Sequence, residues 1–247
     1  MFMSTPLVEH RTLAVPRAGG EAGDYEDAAA IETKEWPVCA AVADGATESA
    51  FARSWAKRLV RGVTDQRATT TEAFRHAVSD GQTEWQATAA ERATDRPWYV
   101  AAKAAEGAFA AVLGLSLHAD GRWRAVAVGD CCLFHVRAQT VVRSWPFEAD
   151  DAFTNRPALV PSQADREVPA PNAVTGAWQP NDRFLLATDA VAAWLMDSDP
   201  VAMSTLDLDA FREHVEAARA DGSLRNDDAT LLVLELAASA DEASAVS

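Results

Sequence analysis

The stretch VCAAVADGATESAFARSWAKRLV, residues 38–60, decides how the chain is read. Residues 38–43 are small and apolar without a break, the composition of a strand buried on both faces. The run stops at Asp44 and Gly45 and turns at once into an amphipathic segment. A helix is expected over 48–62, with Phe51, Trp55 and Leu59 recurring every four residues on one face. Thr47 is placed to cap it. A carboxylate at the end of a buried strand has two readings: it caps the next helix, or it holds something at the strand's end.

The same arrangement recurs along the chain. Asp130 ends AVAVG and Asp189 ends RFLLAT; Asp227 and Asp228 precede ATLLVLEL, and Glu26 and Asp27 precede AAAI. Any one of these acids serves as a turn or cap residue. Together, at the ends of buried strands, they imply a cluster of negative charge. Such a cluster raises its own pKa values or takes a compensating cation. Oxygen-only donors suit a hard divalent ion such as Mg²⁺ or Mn²⁺.

Around these motifs a second helix is expected over 70–93, with Phe74, Val78 and Trp85 on its apolar face and a break at SDG, 79–81. Two hairpins follow, 107–119 with 122–128 around Asp120–Gly121, and 132–137 with 140–145. Residues 146–181 carry six prolines and read as irregular. A strand (183–188), a helix start (189–196), a helix (207–220, with Leu208, Phe211 and Val215 on one side) and a closing strand (229–236) complete the pattern. Adjacent, hairpin-linked strands point to an α+β fold with antiparallel sheets. One domain is expected over 1–236, with a disordered acidic tail over 237–247.

The chain has 247 residues and a formal net charge of −15, which disfavours nucleic acid and anionic membrane as partners. No apolar stretch reaches the ~18 residues of a membrane span, and the opening residues lack the apolar core of a signal peptide. Cys39, Cys131 and Cys132 lie in apolar runs without a CxxC pair and read as buried small hydrophobes, so a cytoplasmic protein is expected. There is no GxSxG, GxxxxGK[ST] or GxGxxG motif, and the five histidines have no zinc-ligand spacing. His135, on a strand, reads as structural.

VADG (42–45), AVAVGD (125–130), LLATDA (185–190) and NDDATLLVL (226–234), preceded by DYEDA (24–28), resemble in order the motifs of the metal-dependent protein phosphatases of type 2C. The resemblance spans roughly residues 15–236. It implies a central sandwich of two antiparallel β-sheets flanked by antiparallel helix pairs. It also implies hydrolysis of phosphoserine and phosphothreonine esters by a metal-activated water on two Mn²⁺ or Mg²⁺ ions. Residue by residue, Asp44 resembles the bridging aspartate and Gly45 a carbonyl ligand. Glu26 and Asp27 resemble the first acidic pair, Asp189 the acid of "TDG" and Asp227 the acid of "DN". The implied metal set is Glu26, Asp27, Asp44, Gly45, Asp189 and Asp227, with Asp27 and Asp44 catalytic. The implied partners are a phosphorylated protein substrate and its serine/threonine kinase.

The chain departs from the family pattern at several points. The family's phosphate-binding arginine just before the first acids is absent from GGEAGDYED, and Arg17, the nearest basic residue upstream, is the candidate for binding the substrate phosphate. "GDSR" reads GDCC, with Asp130 expected to support the fold rather than bind metal, and "TDG" reads TDA with Ala190. Asp228 stands where the family has asparagine. For a third ion, VAAKAAEG offers only Lys103 and Glu106. Asp150, Asp151 and Arg156 lie where the family has a variable flap. Two alternatives therefore stand: an inactive phosphatase-fold regulatory or binding protein, and a hydrolase of small phosphorylated metabolites.

Overall fold

The computed structural model describes residues 7–20, 24–46, 51–88, 107–147 and 157–237. The strands are β1 (Leu7–Val15), β2 (Ala28–Glu32), β3 (Val38–Gly45), β4 (Phe109–Leu117), β5 (Arg122–Val128), β6 (Cys132–Arg137), β7 (Thr140–Trp145), β8 (Val160–Pro161), β9 (Asn172–Ala177), β10 (Arg183–Ala187) and β11 (Ala229–Ala237). The helices are α1 (Ala52–Asp65), α2 (Thr71–Ala87), α3 (Asp189–Asp197), α4 (Pro200–Met203) and α5 (Leu208–Asp221).

The strands form two antiparallel sheets. One has the order β1-β11-β10-β6-β7; the other has the order β2-β3-β4-β5-β9, with β8 on β4. Side chains alternate across each strand, and both faces of the central strands are apolar because each sheet lies between a sheet and a helix layer. In β11, Leu232, Leu234 and Leu236 join the core between the sheets, with Val42, Leu113 and Leu115 opposite. Leu231 and Val233 point the other way, under α3 and α5, with Val191, Phe211 and Val215. Ala41 and Ala43 of β3 face α1 and α2, packed with Trp55, Leu59 and Phe74. The molecule is an α+β sandwich with helices on both outer faces, as expected.

Several local expectations need correction. Helix α1 starts at Ala52, with Phe51 at its N-cap in the left-handed region at φ 67°; Thr47 lies outside the described residues. Helix α2 runs unbroken through 79–81, because Gly81 fits beneath the Trp55 ring, 3.5 Å from where a Cβ would stand. Leu208 is exposed, and the buried face of α5 is Phe211, Val215 and Ala218. Residues 146–181 contain β8 and β9, the latter paired with β5. β1 pairs with β11 over nine positions. Strand β11 reaches Ala237, and residues 238–247 lie outside the described residues, as do Lys103, Glu106, Asp150, Asp151 and Arg156.

Candidate metal centre

Register gathers the acids at one end of the sandwich. Ala187 of β10 lies opposite Leu231 of β11 on one side and Cys132 of β6 on the other. The residues just beyond these positions are Asp189, Asp227–Asp228 and Asp130. Strand β3 brings Asp44 and Gly45 to the same end from the facing sheet. Ligand oxygens of Asp44, Asp130 and Asp189 lie within 4.8 Å of one another. Asp130 Oδ1 is buried without a hydrogen-bond partner among the described residues. The geometry thus groups Asp130 with the acids, where the sequence had left it outside the metal set.

Two glycines make the approach possible. A Cβ on Gly45 would stand 2.9 Å from the Glu26 carbonyl and 2.9 Å from the Ala52 backbone, so only glycine lets β3, α1 and the Glu26 segment meet. Gly129, at φ 100°, turns the chain out of β5 to present Asp130.

Asp27 is buried, and its Oδ2 accepts from Thr188 Oγ1 at 2.8 Å and Thr230 Oγ1 at 2.7 Å. Thr188 stands at the N-cap of α3 yet makes no side-chain cap bond; its hydroxyl serves Asp27 instead. Tyr25 Oη bonds Thr230 Oγ1 from the other side. Asp228 accepts Arg17 N–H at 3.0 Å and Glu26 N–H at 2.7 Å, one on each oxygen. It therefore ties both flanks of the 17–26 segment to β11. Arg17 Nη1 lies 3.5 Å from Glu26 Oε2. Arg225 bonds Asp189 and lies 3.3 Å from Asp227 Oδ2.

Charge at the site is under strain. Burial, and then Asp27, Asp189, Asp130 and Asp227, hold the Asp44 carboxyl well above the usual range. Burial lifts Asp27 to about 7 against its two threonine bonds, and burial with Asp189 lifts Asp130 to about 6. Asp227 is raised by burial and Asp189. Burial also keeps the Cys131 thiol protonated, far from nucleophilic. These acids cannot all ionise in a buried space without a cation. The unpartnered Asp130 oxygen and the oxygen-only donor set fit a hard divalent ion.

A model of the protein phosphatase 2C family matches residues 24–230. The chain belongs to the protein phosphatase 2C family. Members use Mn or Mg ions, which agrees with the donor chemistry. No curated protein matches the chain by sequence. Among solved structures, the serine/threonine phosphatase PstP/Ppp of Mycobacterium tuberculosis superposes with a TM-score of 0.64 at 15% identity, covering 94% of this chain and 99% of that one. Stp1 of Staphylococcus aureus gives 0.64 at 12% identity, over 96% and 98% of the two chains. PppA of Pseudomonas aeruginosa, a regulatory component of T6SS, gives 0.60 at 17% identity, over 93% and 97%. At these identities the likeness speaks to the fold.

The fold brings Glu26, Asp27, Asp44, Gly45, Asp189 and Asp227 to one end, and Arg17 reaches Glu26. Sequence reasoning missed the parts played by Asp130, Asp228, Thr188 and Arg225. The second acid of NDDA was a visible signal for Asp228, since a carboxylate accepts two N–H donors where an asparagine oxygen leaves its amide unable to accept. Arg225 carried no signal, because an arginine in a loop usually points to solvent.

Proposed function

We propose that the protein is a metal-dependent phosphoserine/phosphothreonine protein phosphatase, with Glu26, Asp27, Asp44, the Gly45 carbonyl, Asp189 and Asp227 holding two Mn²⁺ or Mg²⁺ ions. The observation that carries this reading is the convergence of Asp44, Asp130 and Asp189 oxygens within 4.8 Å in a chain of this family. When bound, such ions lower the pKa of water and offset charge on the phosphoryl oxygens.

The protein's own residues do the rest. Asp44 stands between the facing sheets, with the Asp130 and Asp189 oxygens beside it. Asp27 is held by Thr188 and Thr230 through Oδ2, which leaves Oδ1 to orient the attacking water and take its proton. Asp228 holds the Glu26 backbone in place. Burial keeps the Cys131 and Cys132 thiols protonated, so they do not serve as nucleophiles and attack falls to water. The substrate is a phosphorylated protein and its counterpart a serine/threonine kinase, in the cytoplasm; no helix among the described residues is long and apolar enough to cross a membrane.

A second reading, an inactive phosphatase-fold regulatory protein, is favoured by one observation: Arg225 already pairs with Asp189 and Asp227. Hydrolysis of p-nitrophenyl phosphate and a phosphothreonine peptide, with Mn²⁺, Mg²⁺ or EDTA, separates the two. Metal-dependent release abolished by EDTA supports the phosphatase. A folded protein that binds Mn²⁺ and releases nothing supports the regulatory reading.

A further inference from the structure

Two arginines approach the acids, and they are held differently. Arg17 is anchored by its backbone N–H on Asp228 and rests its guanidinium on Glu26 at 3.5 Å. Arg225 lies across Asp189 and Asp227, with its side chain 56% exposed where that of Asp189 is 15% exposed. Its backbone is set by a tight turn in which Asp227 N–H donates to the Arg225 carbonyl at 2.9 Å. Among the described residues the guanidinium thus lies farther out than the two carboxylates it bonds. Its field reaches Asp44 and Asp130 as well.

We propose that Arg225 is the residue that grips the phosphoryl group of the substrate, in the role for which the sequence offered only Arg17. This rests on the phosphatase reading above. The two carboxylates that hold Arg225 are the ones assigned to the cations. Once divalent ions take Asp189 and Asp227, those oxygens no longer compensate the guanidinium, and the nearby positive charge repels it. A long, half-exposed side chain turns outward at little cost. A tetrahedral dianion arriving at the ions then meets a planar fork of N–H donors matched to two of its oxygens. In the metal-free protein the same group is the counter-ion that lets the acids sit together. Arg225 therefore has one partner set without metal and another with metal and phosphate.

The test uses the full chain loaded with Mn²⁺ and inorganic phosphate as the probe, followed by calorimetric titration. Wild type, Arg225→Ala, Arg225→Lys and Arg17→Ala are compared, with Mn²⁺ binding measured on each and kcat and KM on the phosphothreonine peptide. Arg225→Ala is expected to weaken phosphate binding about 10-fold or more and to raise KM by more than it lowers kcat. Arg225→Lys, which keeps the charge without the fork, is expected to fall between. Mn²⁺ binding by Arg225→Ala is expected to equal or exceed that of wild type, because a competing cation is gone. Phosphate affinity unchanged in Arg225→Ala, or a larger loss in Arg17→Ala, overturns the proposal. So does a Mn²⁺-loaded wild type that binds no phosphate. Failure of the phosphatase reading looks different: wild type hydrolyses neither substrate, while phosphate binding still depends on Mn²⁺ and Arg225.

Discussion

At Asp44 the fold keeps a carboxyl in a space it shares electrostatically with Asp27, Asp189, Asp130 and Asp227. An acid kept there against burial and repulsion does not serve stability. Asp44→Asn removes a repelling charge and keeps the side-chain shape. It is therefore expected to leave the melting temperature of the metal-free protein unchanged or higher, while metal-dependent turnover falls by at least 100-fold. Near-normal turnover would remove Asp44 from the centre of the mechanism. Asp228 makes the opposite case. Its two oxygens satisfy the N–H groups of Arg17 and Glu26 at 3.0 and 2.7 Å, and truncation strands both donors. At about 1–3 kcal/mol per stranded group, Asp228→Ala is expected to cost about 2–6 kcal/mol in denaturant unfolding. Asp228→Asn keeps one acceptor and is expected to cost roughly half as much; equal costs for the two variants would mean that only one of the bonds matters.

At the scale of elements, β3 brings Asp44 and Gly45 to the site, and its reading from sequence held because the signal is local. An unbroken small apolar run ending in Asp44–Gly45 can only be a covered strand whose last residues reach an edge. The elements that were missed lack such a signal. β1 (LVEHRTLAV) buries only Leu13 and Val15 and takes its place from nine pairings with β11. β9 (NAVTGA) has hardly any buried side chain and exists because β5 offers it an edge. Both are tertiary facts that periodicity does not carry. The acids were legible as strand ends, and the closeness of Asp130 was not, because it depends on two sheets meeting. Gly45 shows how little room that meeting leaves. Gly45→Ala puts a methyl 2.9 Å from both the Glu26 carbonyl and the Ala52 backbone, and two backbones cannot yield as a side chain can. Overpacking of this kind costs about 1–3 kcal/mol, so a drop of that size in unfolding free energy is expected, with a larger proportional loss of activity as the Glu26 segment shifts. A variant as active and as stable as wild type would show that the segment moves freely.

Across the whole molecule the two ends of the sandwich divide the work. One end gathers acids around Arg225; at the other, Asp182 ties β6 to the loop that joins β9 to β10. Asp182 is 1% exposed and accepts from Arg137 Nε at 2.9 Å and Nη2 at 2.7 Å, and from Gln179 N–H at 2.8 Å; it also bonds His135 Nε2 at 2.7 Å. His135 in turn stacks on Phe184 at 4.4 Å and meets the edge of Trp123 from the facing sheet at 5.8 Å. The charged groups facing His135 are Asp182, Arg137 and Arg143; burial lowers its pKa below 6.5, with Asp182 opposing. For Asp182 burial works upward, and the bonds from Arg137, His135 and Gln179 outweigh it to hold the carboxyl below 3.8. Both folded pKa values are depressed, so both groups contribute stability that is present at higher pH and lost on acidification. The His135 contribution is complete above pH 6.5 and fades as pH falls toward its folded value; that of Asp182 is complete above about pH 4 and fades below it. The stability gap between wild type and His135→Gln is therefore expected to be constant from pH 8 to about 6.5 and to narrow below. The gap to Asp182→Asn is expected to be constant above about pH 6.5, to widen below it because His135 without the carboxylate resists protonation more, and to narrow only as Asp182 itself is protonated below about pH 4. The histidines other than His135 are common to each pair and cancel, so urea unfolding at a series of pH values reads the linked Asp182–His135 pair. A His135 gap that widened on acidification would mean that the imidazolium, paired with Asp182, is the folded form, and that the electrostatic pull of the carboxylate outweighs the cost of burying the charge.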